Sequence, residues 1–212
     1  MPEVLSIEDY DIILDALDNE DTNTIIKRFQ CFELDPHSEL LDAPRIGHTN
    51  VELNTYLDYV IHYNLTNVID IFIDEFNLEI TDGILSLCII LNNHDTYKYL
   101  LSLGYFPESE TFKKAVQFCC SNIVDSILEN DNELIHYLDE EDIECIFKCN
   151  IDEETVETIR VLFNYGVDSS IFNEFFYILK DYDINEDYIS NDEHKDIVLE
   201  LIDLLESNNI HN

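Results

Sequence analysis

Basic residues are scarce. The chain of 212 residues has 10 Lys plus Arg against 47 Asp plus Glu, a formal net charge of −37. So few cations cannot neutralise a row of phosphates. That excludes binding of nucleic acid or anionic membrane through a general basic surface. Glycine and proline are scarce too, with 4 of each, so flexible linkers are few and no phosphate-cradling loop is present. Long apolar runs are missing: the longest, 84–91, is broken by Ser86 and is too short to span a bilayer. Residues 1–11 carry no basic residue and no apolar run, so they do not read as a secretory signal. Gly-x-Ser-x-Gly, His-Glu-x-x-His and P-loop sequences are absent.

What is present excludes the opposite extreme. Acidic chains that lack apolar surface stay disordered. Here 46% of residues are hydrophobic, with 12 Phe and 12 Tyr, enough for a core. The length allows one extended domain or two small ones. Six cysteines, at 31, 88, 119, 120, 145 and 149, sit inside apolar segments rather than in turns. They read as reduced thiols of a cytosolic or nuclear protein, and the expected location is the cytoplasm.

Helical spacing dominates. Tyr97, Leu100, Leu101 and Gly104 follow the i, i+3, i+4 rule, as do Ile159, Leu162, Phe163 and Gly166. Ser6, Thr22, Thr81, Ser109, Asp139, Asp152, Ser169 and Asn191 are N-cap candidates. Acids follow several of them, where a carboxylate meets the positive end of the helix dipole. The pattern predicts about twelve short helices in pairs, and the first helices of five pairs begin near Glu52, Thr81, Ser109, Asp139 and Ser169. The steps of 29, 28, 30 and 30 residues are those of a helical solenoid. Within a unit, an apolar residue (Leu57, Leu85, Phe112) is followed sixteen residues later by the end of an apolar pair (Phe72-Ile73, Leu100-Leu101, Ile127-Leu128). A helix stop follows at Phe76, Gly104 and Asp131. A fourth unit runs from Ile143 to Gly166 with four extra residues, and a fifth from Phe172 to Asn208 with seventeen.

This unit resembles a worn ankyrin repeat. The tails Leu100-Leu101-Ser102-Leu103-Gly104 and Leu162-Phe163-Asn164-Tyr165-Gly166 match that family's Leu-Leu-x-x-Gly ending. Asn64 and Asn92 fill its interhelix glycine position, and Val60, Cys88 and Ala115 its small-residue position; Ile146 and Phe175 fit that position less well. No unit carries the family's Thr-Pro-Leu-His, and the period is nearer 29 than its 33 residues. The resemblance covers 52–208, most closely 52–131, while 6–32 suggests a further pair out of clean register. The abundance of Asn, Ile, Asp and Tyr is similar to that of the ankyrin-repeat families of giant DNA viruses.

Candidate chemistry is thin. Cys119, Cys120, Cys145 and Cys149 supply four thiols, but adjacent helical residues point about 100° apart and structural zinc favours spaced pairs on turns. Buried thiol is the preferred reading. Asp181, Asp183, Asn185, Asp187 and Asp192 mimic calcium-loop positions, but Glu186 stands where the turn needs Gly and Ile189 is no ligand. Histidines at 37, 48, 62, 94, 136, 194 and 211 form no motif with the cysteines. The stripes Phe112, Val116, Phe118 and Ile171, Phe175, Ile178 read as packing between helices. Tyr56, Tyr63, Tyr97, Tyr99 and Tyr105 read as half-buried residues or interface anchors. Lys113-Lys114 is too small a basic cluster for nucleic acid.

The expectation is an all-α solenoid of helix pairs resembling a shortened ankyrin array. Residues 1–50 form an irregular cap and 51–212 the repeats, packed as one domain, with an acidic loop at 181–190 and a final helix from Asp192 to Ser207. The resemblance implies a non-catalytic protein-interaction module without a cofactor. The charge implies a basic protein partner, with no direct nucleic-acid or membrane binding. The oligomeric state is open, with the monomer preferred. No catalytic, cofactor, metal or binding residue is assigned. The alternatives are an acidic nucleic-acid mimic and a self-associating virion component.

Overall fold

A computed structural model describes residues 5–41, 53–148, 151–184 and 192–208. Apart from one isolated bridge between Glu39 and Thr55, the regular structure among them is helical. The chain divides into two compact units, 1–105 and 106–212. The expected change from cap to repeats near 50 falls at 42–52, outside the described residues.

The first unit holds α1 (Ile7–Asp18), α2 (Thr22–Phe32), α3 (Tyr56–His62), α4 (Thr66–Phe76), α5 (Asp82–Ile90) and α6 (His94–Ser102). Neighbours pair as α1 with α2, α3 with α4 and α5 with α6; α2 also packs on α4, and α3 on α5. The pairs meet at aromatic side chains. The Phe29 ring of α2 lies 5.1 Å from Tyr56, 5.4 Å from Phe72 and 5.2 Å from Phe76.

The second unit holds α7 (Ser109–Gln117), α8 (Ser121–Asn130), α9 (Glu140–Lys148), α10 (Glu153–Asn164), α11 (Asn173–Ile184) and α12 (Asp192–Ser207), with 3-10 turns at Asn132–Tyr137 and Ser169–Phe172. Here α7 pairs with α8 and α11 with α12, while α9 packs on α7, α10 on α8 and α12 on α10. Phe147 stacks on Phe175 at 4.7 Å, and Phe163 meets Phe172 at 5.2 Å.

One turn joins four of these pairs. Glu20, Asn64, Asn92 and Cys119 all adopt left-handed backbone, with φ of 52°, 56°, 47° and 53°. In each, the following amide donates to a carbonyl five residues back: Asp21 to Ala16 (2.8 Å), Leu65 to Val60 (3.0 Å), Asn93 to Cys88 (2.8 Å) and Cys120 to Ala115 (3.0 Å). This double-bonded stop satisfies carbonyls that the ended helix leaves open. The accepting residues Ala16, Val60, Cys88 and Ala115 are all buried, which lets the two helices of a pair approach closely. The helix pair at 6–32 therefore closes with the same turn as the three pairs that follow. Second-helix ends close in the same way: Gly104 and Gly166 have φ of 90° and 83°, and Tyr105 and Val167 donate to the carbonyls of Leu100 and Leu162.

Several helix starts differ from expectation. Glu52 lies outside the described residues; α3 starts instead at Tyr56, where Thr55 and Asp58 form a reciprocal cap. The caps of α2 and α7 are Asp21 and Glu108, one residue before Thr22 and Ser109. Likewise Asp168, not Ser169, opens the 3-10 turn, accepting from the Ser170 amide at 2.9 Å. An Asp before Ser or Thr takes the cap because its carboxylate accepts more strongly from the open amides. Asn191 lies outside the described residues.

The expected loop at 181–190 is helical as far as Ile184, because α11 runs on; the rest lies outside the described residues. The final helix runs from Asp192 to Ser207 as expected.

Candidate interaction surface

Successive pairs are joined by polar side chains as well as by packing. In three places, the left-handed residue of one turn receives a hydrogen bond from the first turn of the next second helix. Asn67 donates to Glu20, the Thr96 hydroxyl to Asn64 Oδ1 at 2.9 Å, and the Thr155 hydroxyl to Cys119 Sγ at 3.6 Å. Asn93 also donates to the Ile61 carbonyl at the end of α3. Tyrosines tie the same three junctions a second time: Tyr59 donates to Asp18 at 2.7 Å, Tyr99 to Asp70, and Tyr165 to Asp125 at 3.1 Å. Burial and these carboxylates push the Tyr99 and Tyr165 hydroxyls up to about 12.

Four of the 10 cations bridge helices. Arg28 reaches Asp9 of α1 at 2.7 Å, and Lys113 reaches Asp142 of α9 at 2.8 Å. Arg160 reaches Glu200 of α12 at 2.8 Å, and Lys180 reaches Glu206 of α12 at 2.6 Å. Lys113 also meets Asp139 at 3.1 Å, so half of the only Lys-Lys pair in the sequence is a brace against acids. The hydrogen bonds that Lys113 donates to Asp142 and Asp139 hold its ammonium above its usual range, against burial. The exposed carboxylates therefore face solvent with few competing cations, and the field around each unit is negative.

Other candidates disperse. Cys88 is fully buried and burial pushes its thiol up to about 12; Cys120, also buried, is pushed to about 12 by burial and by Cys119. Cys31 is exposed, Cys145 half-buried, and Cys149 outside the described residues. Among the described residues, no three His, Cys, Asp or Glu side chains come together as metal ligands. Asp181 and Asp183 have helical backbone, which removes the start of a calcium loop; Asn185 and Asp187 lie outside the described residues, and Asp192 opens α12.

His62 ends α3, where burial lowers its pKa, and His94 opens α6, 3.9 Å from Asp95. Together with Asn64, Asn92 and Asn93 they line a polar recess of about 400 Å³ at the turns. His37 and His136 are exposed; His48 and His211 lie outside the described residues, and the backbone of His194 belongs to α12.

Two packing expectations are corrected. Phe118 is 56% exposed because α7 ends at Gln117 and the following residue turns off the packed face. Ile178 is 44% exposed because the buried face of α11 follows Phe175, Phe176 and Leu179. The tyrosines divide: Tyr56 and Tyr97 are fully buried, Tyr99 and Tyr105 half-buried, and Tyr63 is 49% exposed. Missed by sequence reading were the interhelical cations, whose partners lie 19 to 40 residues away, and the Tyr–Asp ties.

Compared with family models, curated proteins and solved structures, the chain matches none. No helix among the described residues is long and apolar enough to cross a membrane.

Proposed function

We propose that this chain is a non-catalytic protein-interaction module, an ankyrin-like set of stacked helix pairs that binds a basic protein. The observation that carries this reading is the use of the cations. Arg28, Lys113, Arg160 and Lys180 brace helices inside the units, while exposed acids at the helix starts have few rivals. Such a surface attracts a positive partner and speeds its encounter at low salt. The stacking of second helix on second helix supports the repeat reading: α2 on α4, α8 on α10, α10 on α12. Repeats of this kind present extended surfaces rather than pockets. In the viral setting that the resemblance suggests, the partner is a host or viral protein in the host cytoplasm.

Affinity capture from a cell lysate on the immobilised full chain, at low and raised salt, tests the reading. The expected result is a discrete basic protein held at low salt and released at high salt. Capture of nothing under either condition contradicts it. Capture restricted to nucleic-acid-binding proteins, displaced by duplex DNA, favours the mimic instead. A concentration-dependent increase in mass by light scattering favours self-association.

A further inference from the structure

The loops after α2 and α4 face each other across an open trough of about 420 Å³. Its lining sets apolar and acidic side chains beside the polar His37, Asn77 and Thr81. Pro36, Leu78 and Ile84 are buried apolar residues and Phe76 is half-buried. The Phe76 ring is anchored in the core, 5.2 Å from Phe29 and 6.2 Å from Phe72. Two exposed carboxylates, Asp35 and Glu79, belong to the same lining.

The trough is preformed. The Asp35 amide donates to Ser38 Oγ at 2.9 Å, and the His37 amide donates to Asp35 Oδ1 at 2.7 Å. The Leu57 amide donates to the Pro36 carbonyl at 2.8 Å, which pins this loop to α3. On the other wall, the Leu78 amide donates to the Phe72 carbonyl at 3.0 Å. Little ordering is left for a ligand to bring about.

We propose that this trough is the subsite for one lysine or arginine side chain of the basic partner. The inference rests on the proposed function and names where that partner is gripped. Lys and Arg carry an apolar stem and a charged head, and they lay the stem on apolar surface while the head reaches polar groups. Pro36, Leu78, Ile84 and Phe76 accept the stem, and Asp35 and Glu79 accept the head. A purely apolar side chain would desolvate the two carboxylates without pairing them. An acidic one would meet them and a chain of net charge −37.

Amide-resolved NMR of the full chain, titrated with acetyl-Leu-Arg-Leu-amide, tests the subsite. The control ligand carries citrulline, a neutral isostere, in place of Arg. The expected result is saturable shifts at Asn77, Leu78, Glu79 and Ile84 that are much weaker with citrulline. Glu79→Gln should lower the affinity roughly threefold, the scale of one exposed charge pair. Glu110→Gln, an exposed acid on α7 outside the trough, should leave it unchanged. The same spectra report whether each variant is folded. Shifts confined to other acidic segments, or trough shifts equal for both peptides, overturn the subsite and leave the acidic-surface reading standing. No shift anywhere overturns the subsite as well; the reading itself fails only if partner capture fails.

Discussion

The Thr96 hydroxyl donates to the side-chain oxygen of Asn64 at 2.9 Å, from a fully buried residue on α6 to the left-handed turn of the preceding pair. The bond joins neighbouring pairs at a left-handed turn whose backbone shape is fixed by its own hydrogen bonds. Thr96→Val keeps the volume and removes the donor. It should cost about 1 kcal/mol in urea unfolding, the usual net worth of such a bond. An unchanged midpoint and slope would show that the bond adds nothing to the stacking.

The left-handed stops set a second expectation. A Cβ added at Gly166 meets nothing within 4 Å, so Gly166→Ala strains only the backbone, held at φ 83°. The expected loss is about 1–2 kcal/mol. Asn92→Gly, at φ 47°, should be neutral or slightly stabilising, since glycine adopts this shape freely. Thermal unfolding of both variants checks the pair of signs.

Tyrosine hydroxyls divide into paired and unpaired. Tyr97 is fully buried and its hydroxyl has no hydrogen-bond partner among the described residues, whereas Tyr59 donates to Asp18 at 2.7 Å. Tyr97→Phe should leave stability unchanged or raise it, because an unpaired buried hydroxyl is a cost. Tyr59→Phe should lose about 1 kcal/mol. Equal effects in denaturant titrations would contradict the assignment.

Stability should also depend on pH and salt in a defined direction. The hydrogen bond from Lys113 holds the Asp139 carboxyl below its ordinary 3.8, and the Thr24 hydroxyl does the same for Asp21. A lowered carboxyl contributes stability that is complete above the unfolded value and lost as pH falls through the folded one. Lys113, raised by Asp142, contributes below its ordinary 10.5 and loses that as pH rises through its folded value. Between these limits the excess of 47 acids over 10 bases repels itself. Tm should therefore rise with added salt at neutral pH, rise again toward about pH 5, and fall steeply in stronger acid. A Tm that falls with salt at neutral pH would contradict this.

Much of the helical frame was legible in the sequence. Asn64, Asn92, Gly104 and Gly166 marked the stops because few residues accept left-handed backbone. Leu57, Leu85 and Phe112, at fixed distance from an apolar pair, marked the paired helices. The N-terminal pair at 6–32 was legible as a pair but not in register, because its turn uses Glu20, a residue without that signal, and Arg28 stands where Phe72, Leu100 and Ile127 stand in other pairs. The 44 residues from Glu20 to Asn64 also break the period set by the 28 from Asn64 to Asn92. The surface was less legible still. Net charge gave its sign, but which cations are consumed by Asp9, Asp142, Glu200 and Glu206 depends on contacts between helices distant in sequence. The trough depends on two loops 40 residues apart meeting, and neither loop carries a motif.

The most direct test of the account is the association rate of the full chain with a captured partner as ionic strength is raised. Attraction between a strongly negative surface and a basic one predicts a rate that falls about tenfold or more from low to raised salt, with dissociation changing less. A rate independent of salt, or a partner whose binding face is acidic, would contradict the claim that this chain recognises its partner through negative charge.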